Sequence, residues 1–222
     1  MHIALCIVAG CAGLSFGWFV PRIQHRLYSK PEYREHPATG RKLVVLRLFL
    51  ALSCGTAGAL AFRPGHYAFG PALLTALFSF ALLVTASTDF ERRIIPNLVS
   101  YPAIVAALAF SWAWPDRSVT AIVLGGGLAI AIAVALFALG LVAGSLFGGG
   151  AALGMGDAKL VIWIGFLAGW PAVTYALIYG VLAAGVVSVV LLVRGGAHKT
   201  FSYGPYLVAG SLVVMLFPHP FV

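Results

Sequence analysis

Long apolar stretches alternate with short polar ones along the whole chain. The apolar runs cover roughly 3–20, 43–62, 70–89, 98–114, 119–144, 158–171, 172–193 and 203–218. They lack the every-second-residue alternation of a barrel strand, so each predicts a helix. The weakest division falls between the sixth and seventh runs. There Gly169-Trp170-Pro171 interrupts a continuous apolar stretch, and proline favours a break or turn. The fifth run is long enough to span a bilayer with tilt. Pro218 and Pro220 stop the eighth. The longest polar stretch, 21–42, is basic and leaves room for little beyond an interfacial segment. The expected architecture is all-α: a single integral-membrane domain over 1–222 with about eight transmembrane helices.

Composition sharpens this picture. The chain is 61% hydrophobic and 9% charged, with a mean hydropathy of +1.00, whereas soluble domains carry about 25% charged residues. Lipid therefore solvates the apolar exterior, and helices must satisfy the backbone internally. The net charge of +8 does not point to nucleic acid, because the basic residues flank apolar runs as juxtamembrane loops facing anionic lipid do. With the N-terminus outside, the inner ends hold Arg22, Arg26, Lys30, Arg34, Arg41, Lys42, Arg47, Arg92, Arg93, Lys159, Arg194 and Lys199, and the outer ends hold Arg63 and Arg117. That bias favours eight spans with both termini outside. Merging the sixth and seventh runs would move Arg194 and Lys199 outward. Cys6, Cys11 and Cys54 all lie in apolar runs with no C-x-x-C pair, which argues against a zinc knuckle or a disulfide framework. Val8-Ala9-Gly10-Cys11 has the form of a lipoprotein cleavage box, but nothing basic precedes it, so an uncleaved first span is expected.

Two of the six acidic residues stand out. Asp89 ends the third apolar run and Asp157 opens the sixth. A carboxylate near hydrocarbon is costly and marks a functional site by default. The charge count, which did not use these residues, places both at the inner face and at one depth. Two close carboxylates share a proton, so one serves as general base on a water while the other polarises a carbonyl, with no metal or cofactor. Helix polarity divides the roles. Asp157, in a first turn, suits the ionised base; Asp89, near a helix end, suits the proton holder. Each also has a plainer reading: Asp89 pairing with Arg92 or Arg93, and Asp157 capping a helix. Gly148-Gly149-Gly150, Gly154 and Gly156 precede Asp157 and would let an extended substrate approach the backbone; the plainer reading is a hairpin. Lys159 points to another helix face than Asp157, as an interfacial anchor or a substrate contact.

These residues resemble the type IV prepilin peptidase family of GxGD aspartyl membrane proteases. Gly154-Met155-Gly156-Asp157-Ala158-Lys159-Leu160 is similar to the family's G-x-G-D-x-K-L, and Asp89 followed by Ile95-Pro96-Asn97 is similar to its D-x(5)-I-P-N. Tyr203-Gly204-Pro205-Tyr206-Leu207 resembles the stretch opening its last span, and Gly13-Leu14-Ser15-Phe16-Gly17 through Arg26-Leu27 echoes its N-terminal motif. The resemblance implies cleavage of the leader of pilin-like precursors at the cytoplasmic face of a bacterial inner membrane, with Asp89 and Asp157 as the catalytic pair and Gly154, Gly156 and Lys159 shaping the site. Many members also N-methylate the product and carry a larger cytoplasmic region with paired cysteines. The 21–42 stretch has no cysteine, so cleavage without methylation is expected of this short form. The rival reading is a small proton- or cation-coupled transporter or channel subunit with Asp89 and Asp157 as ion sites. A one-face placement of both acids favours the peptidase.

Overall fold

Hydrocarbon offers the backbone no hydrogen-bond partner, so an apolar run must close its own i→i−4 ladder. A computed structural model describes residues 2–28, 30–34, 38–147, 155–194 and 202–217. Among the described residues every regular element is helical: α1 (His2–Leu27), α2 (Pro31–Arg34), α3 (Gly40–Ala61), α4 (Phe69–Arg92), α5 (Asn97–Phe110), a 3₁₀ turn (Ser111–Ala113), α6 (Val119–Phe147), α7 (Met155–Ala168), α8 (Ala172–Val193) and α9 (Gly204–Leu216). Five of these, α1, α3, α4, α6 and α8, are long and apolar enough to cross a membrane. The chain is therefore a multi-pass membrane protein. The apolar helices α5, α7 and α9 have 14, 14 and 13 residues, or about 20 Å of rise against a hydrocarbon core of about 30 Å. Side chains such as Leu52, Val134 and Leu182 face outward, as a lipid-solvated surface allows.

Several helix ends fall a few residues from the hydropathy reading, and two of the differences matter. α1 continues past residue 20, through Pro21, to Leu27. Hydropathy stops where Arg22 and Gln24 enter, but a helix stops only when its hydrogen-bond ladder does, and an internal proline removes one donor from it. Much of 21–42 is thus helical, with α2 a single turn and α3 starting at Gly40. The fourth run divides instead, with α5 ending at Phe110 and a 3₁₀ turn following.

The chain forms two units, Met1–Val99 with Met215–Val222, and Ser100–Val214. In the first, α1 and α3 pack through small residues. A Cβ added to Gly13 or Gly17 would run into the carbonyls of Cys54 and Leu50, and one on Gly58 would meet the Ala9 carbonyl. The partner numbers fall along α3 as they rise along α1, so the two helices are antiparallel. Close backbone approach through small residues is how helices associate where the hydrophobic effect is weak. α4 runs the other way, parallel to α1: Phe16 stacks on Phe80 at 5.3 Å, and Gln24 and Tyr28 reach Ser87 and Glu91. The C-terminal ends of α1 and α4 therefore lie together, and Arg22, Arg26, Arg92 and Arg93 share that end with the N-terminal residues Arg41 and Lys42 of α3.

In the second unit α6 and α7 are antiparallel by the same device. Gly125 faces the Gly169 backbone, Gly126 the Phe166 ring, and Gly165 the Ala129 methyl. Trp163, Ile164 and Leu167 of α7 are fully buried. The α7–α8 break falls where proline and glycine predict it. Gly169 has φ +70°, and the Trp170 N–H donates to the Ala121 carbonyl at 2.7 Å. Arg117 donates to the Leu167 carbonyl in the last turn of α7 and stacks on Trp114 at 4.1 Å. A cation there satisfies an orphan carbonyl and the negative end of the helix dipole. α8 and α9 are also antiparallel: Gly210 faces the Ala176 carbonyl, and Gly180 faces Leu207.

Candidate active site

Asp89 lies in the last turn of α4, 5% exposed. The segment from Leu82 to Asp89 is buried throughout, although Thr85, Ser87, Thr88 and Asp89 are polar. Such burial requires hydrogen-bond partners. Thr85 donates to the Ala81 carbonyl and Thr88 to the Thr85 carbonyl, both at 2.9 Å. Ser87 is met from α1, where Gln24 Nε2 donates to its Oγ at 2.8 Å. One turn on, the Tyr28 hydroxyl donates to Glu91 Oε2 at 2.6 Å. Arg92 completes this cluster, with Nε 3.7 Å from Glu91 Oε1 and its guanidinium over the Tyr28 ring at 5.7 Å. Burial first, and then the Glu91 carboxylate, push the Tyr28 phenol above its ordinary range, so it remains a donor at neutral pH. The helix ends because Arg93 turns left-handed, at φ 55°, with its N–H on the Asp89 carbonyl at 2.8 Å. This is an αL helix terminus.

Asp157 is the third residue of α7 and partly exposed. The first turn of a helix carries orphan N–H groups and the positive dipole end, which favour a carboxylate there. The buried Leu160, Val161, Trp163 and Ile164 anchor that turn. Gly156 is the second helical residue. Gly154 and Gly148-Gly149-Gly150 lie outside the described residues. Lys159 Nζ sits 4.8 Å from the centroid of the Tyr101 ring on α5, a cation–π contact. Asp89 belongs to the first unit, while Gly156, Asp157 and Lys159 belong to the second. Among the described residues no group of three or more His, Cys, Asp or Glu is arranged to hold a metal ion.

Several residues escaped the sequence reading: Gln24 and Tyr28, which meet Ser87 and Glu91 on either side of Asp89 in the sequence, and Tyr101 beside Lys159. One signal was present. Gln24 is the chain's only glutamine, and it sits at four-residue spacing between Val20 and Tyr28, the spacing of one helix face.

The model of the type IV leader peptidase family matches residues 76–189, a stretch that holds Asp89, Gly156, Asp157 and Lys159. Two curated relatives, the prepilin leader peptidase/N-methyltransferases of Burkholderia pseudomallei strains 1026b and K96243, are each 30% identical over 178 residues. The match covers 78% of this chain and 54% of each relative, so the chain spans about half the length of the curated relatives it matches. No solved structure matches. With the family's model running over more than half of its length and through both singled-out aspartates, the chain belongs to the type IV leader peptidase family.

Proposed function

We propose that the chain is a membrane aspartyl endopeptidase that removes the leader peptide of type IV pilin-like precursors at the cytoplasmic face of a bacterial inner membrane. The observation that carries this reading is the family match across both Asp89 and Asp157. Supporting it, Asp89 occupies a buried last turn and Asp157 a partly exposed first turn, the two helix-end environments that separate a proton holder from an ionised base.

In the proposed mechanism the Asp157 carboxylate takes a proton from a water, whose oxygen attacks the scissile carbonyl carbon. Protonated Asp89 donates its hydrogen bond, and then its proton, to the carbonyl oxygen. The tetrahedral intermediate collapses as the C–N bond breaks: the leaving amine takes the proton that Asp157 holds, and one of the two diol hydroxyls returns its proton to Asp89 as the carbonyl re-forms, which restores the pair. The enzyme forms no covalent bond to the substrate. Gly154 and Gly156 admit the extended leader, and Lys159, held against Tyr101, meets an acidic side chain of the precursor. The chain is proposed as a single integral-membrane peptidase domain with eight spans and both termini outside. The curated relatives are named for N-methylation as well, but the 21–42 stretch contains no cysteine, and cleavage without methylation is proposed here.

Co-expression with a pilin-like precursor tests the reading. The wild type shortens the precursor on a gel, and Asp89→Ala or Asp157→Ala leaves it full length. Normal cleavage by either variant would remove the dyad.

A further inference from the structure

α4 meets α1 along one stripe. Phe80, Ser87 and Glu91 are spaced seven and four residues apart, the rhythm of a single helix face, and each has its own partner. Phe16 stacks on Phe80, Gln24 donates to Ser87 and Tyr28 donates to Glu91. Their partners advance by eight and then four residues, from Phe16 and Gln24 on α1 to Tyr28, the first residue past its end. The two directional contacts bracket Asp89, at two residues before it and two residues after it. A side chain two positions away on a helix lies about 200° round the axis, so Asp89 is turned away from the face on which its neighbours are fastened.

A single hydrogen bond would fix the distance between the helices but leave α4 some freedom to rotate. Two of them, one turn apart on the same stripe, fix the rotation as well. Both donors are themselves held: Gln24 is 2% exposed, and Tyr28 is equally buried, its ring under Arg92. The last two turns of α4 end at Arg93, whose left-handed backbone stops the helix one residue beyond Arg92, so these contacts come at the final opportunity to set the azimuth of Asp89.

We infer that Gln24 and Tyr28 are positioning residues for Asp89: acting through Ser87 and Glu91, they set the rotation of the end of α4 and so the direction of its carboxyl. This rests on Asp89 belonging to the catalytic pair proposed above. A misplacement of about 1 Å in a reacting group costs on the order of 100-fold in rate, so a modest rotation is felt in turnover before it is felt in folding.

The test uses the full-length protein in detergent micelles with a pilin-like precursor. Tyr28→Phe keeps the ring and its contact with Arg92 but removes the donor. It lowers kcat about tenfold with KM within twofold, at unchanged folded fraction. Glu91→Leu does the same, Glu91→Gln, which retains an acceptor oxygen, stays within threefold of wild type, and Tyr28→Phe combined with Glu91→Leu is no worse than either alone. A second readout needs no catalysis. With Cys6, Cys11 and Cys54 replaced by alanine, a cysteine introduced by Asp89→Cys reacts slowly with a water-soluble maleimide, and adding Tyr28→Phe or Gln24→Leu speeds labelling about fivefold. Labelling at position 89 that neither substitution changes overturns the inference. So does a Tyr28→Phe enzyme with wild-type kcat. A wild type that leaves the precursor intact counts against the peptidase reading, while accelerated labelling in the same preparation upholds the positioning role.

Discussion

Arg93 is held in the left-handed region at φ 55°, four residues after Asp89. An L-residue there costs about 1–2 kcal/mol that glycine does not, and a β-branched side chain fits worst. Two substitutions that both delete the guanidinium isolate this backbone term. Arg93→Val is expected to be less stable than Arg93→Gly by about 1–2 kcal/mol, read from unfolding in mixed micelles of increasing SDS content. Equal stabilities would mean that the turn after Asp89 is not strained. At this scale the sequence was informative about Asp89 and Asp157 because an acid beside hydrocarbon is rare enough to draw notice. It was silent about Tyr28 and Glu91. Tyrosine and glutamate at the edge of a basic stretch read as ordinary interfacial residues, and only the parallel packing of α1 on α4 brings them within 2.6 Å.

Elements were legible to the extent that hydropathy and helicity coincide. The α7–α8 break was visible because Gly169 and Pro171 act through the backbone itself. The end of α1 was not, because its last two turns are polar yet still hydrogen-bonded, and those turns carry Gln24 and lead to Tyr28. The packing code between helices was also hidden. Twenty-six glycines look alike in sequence, but only some face a neighbouring backbone. Gly13 and Gly17 meet the carbonyls of α3, whereas Gly127 has nothing within 4 Å of its added Cβ. Gly13→Ala and Gly17→Ala are each expected to destabilise by about 1–3 kcal/mol through overpacking. Gly127→Ala is expected to be neutral or to stabilise by up to about 1 kcal/mol through helix propensity. The same SDS titration separates them, and a Gly13→Ala protein as stable as wild type would show that α1 and α3 are not in close contact.

At the scale of the whole molecule, the basic residues carry the proposed topology. Among the described residues of the first unit, arginines and lysines gather where α1 and α4 end and α3 begins. In the second unit, Arg117 is used to cap α7. The proposed eight-span topology therefore makes a clear forecast for reporter fusions. Alkaline phosphatase, active only outside the cytoplasm, is expected to be active when joined after Arg63 or Arg117 and inactive when joined after Lys42 or Arg194. Activity at Arg194 would merge α7 and α8 into one crossing and reverse everything after them. The pattern of apolar runs, with the low charge content, made the membrane class and the helical fold legible. It could not settle how the three short helices lie in the bilayer, because about 20 Å of apolar helix fits a thinned crossing as well as a partly buried segment.

The central claim is that two aspartates, Asp89 and Asp157, together hydrolyse a pilin-like leader. Its most direct measurement is the cleavage rate of a purified precursor by the purified, reconstituted protein, with the product mass fixing the bond that is cut. Asp89→Asn and Asp157→Asn each preserve side-chain shape and remove the titrating group. Each is expected to slow cleavage at least about 1000-fold, within the range attributed to positioned acid–base groups, and the double substitution is expected to be no slower, because the pair acts as a unit. Cleavage within tenfold of wild type by either single variant would contradict the account.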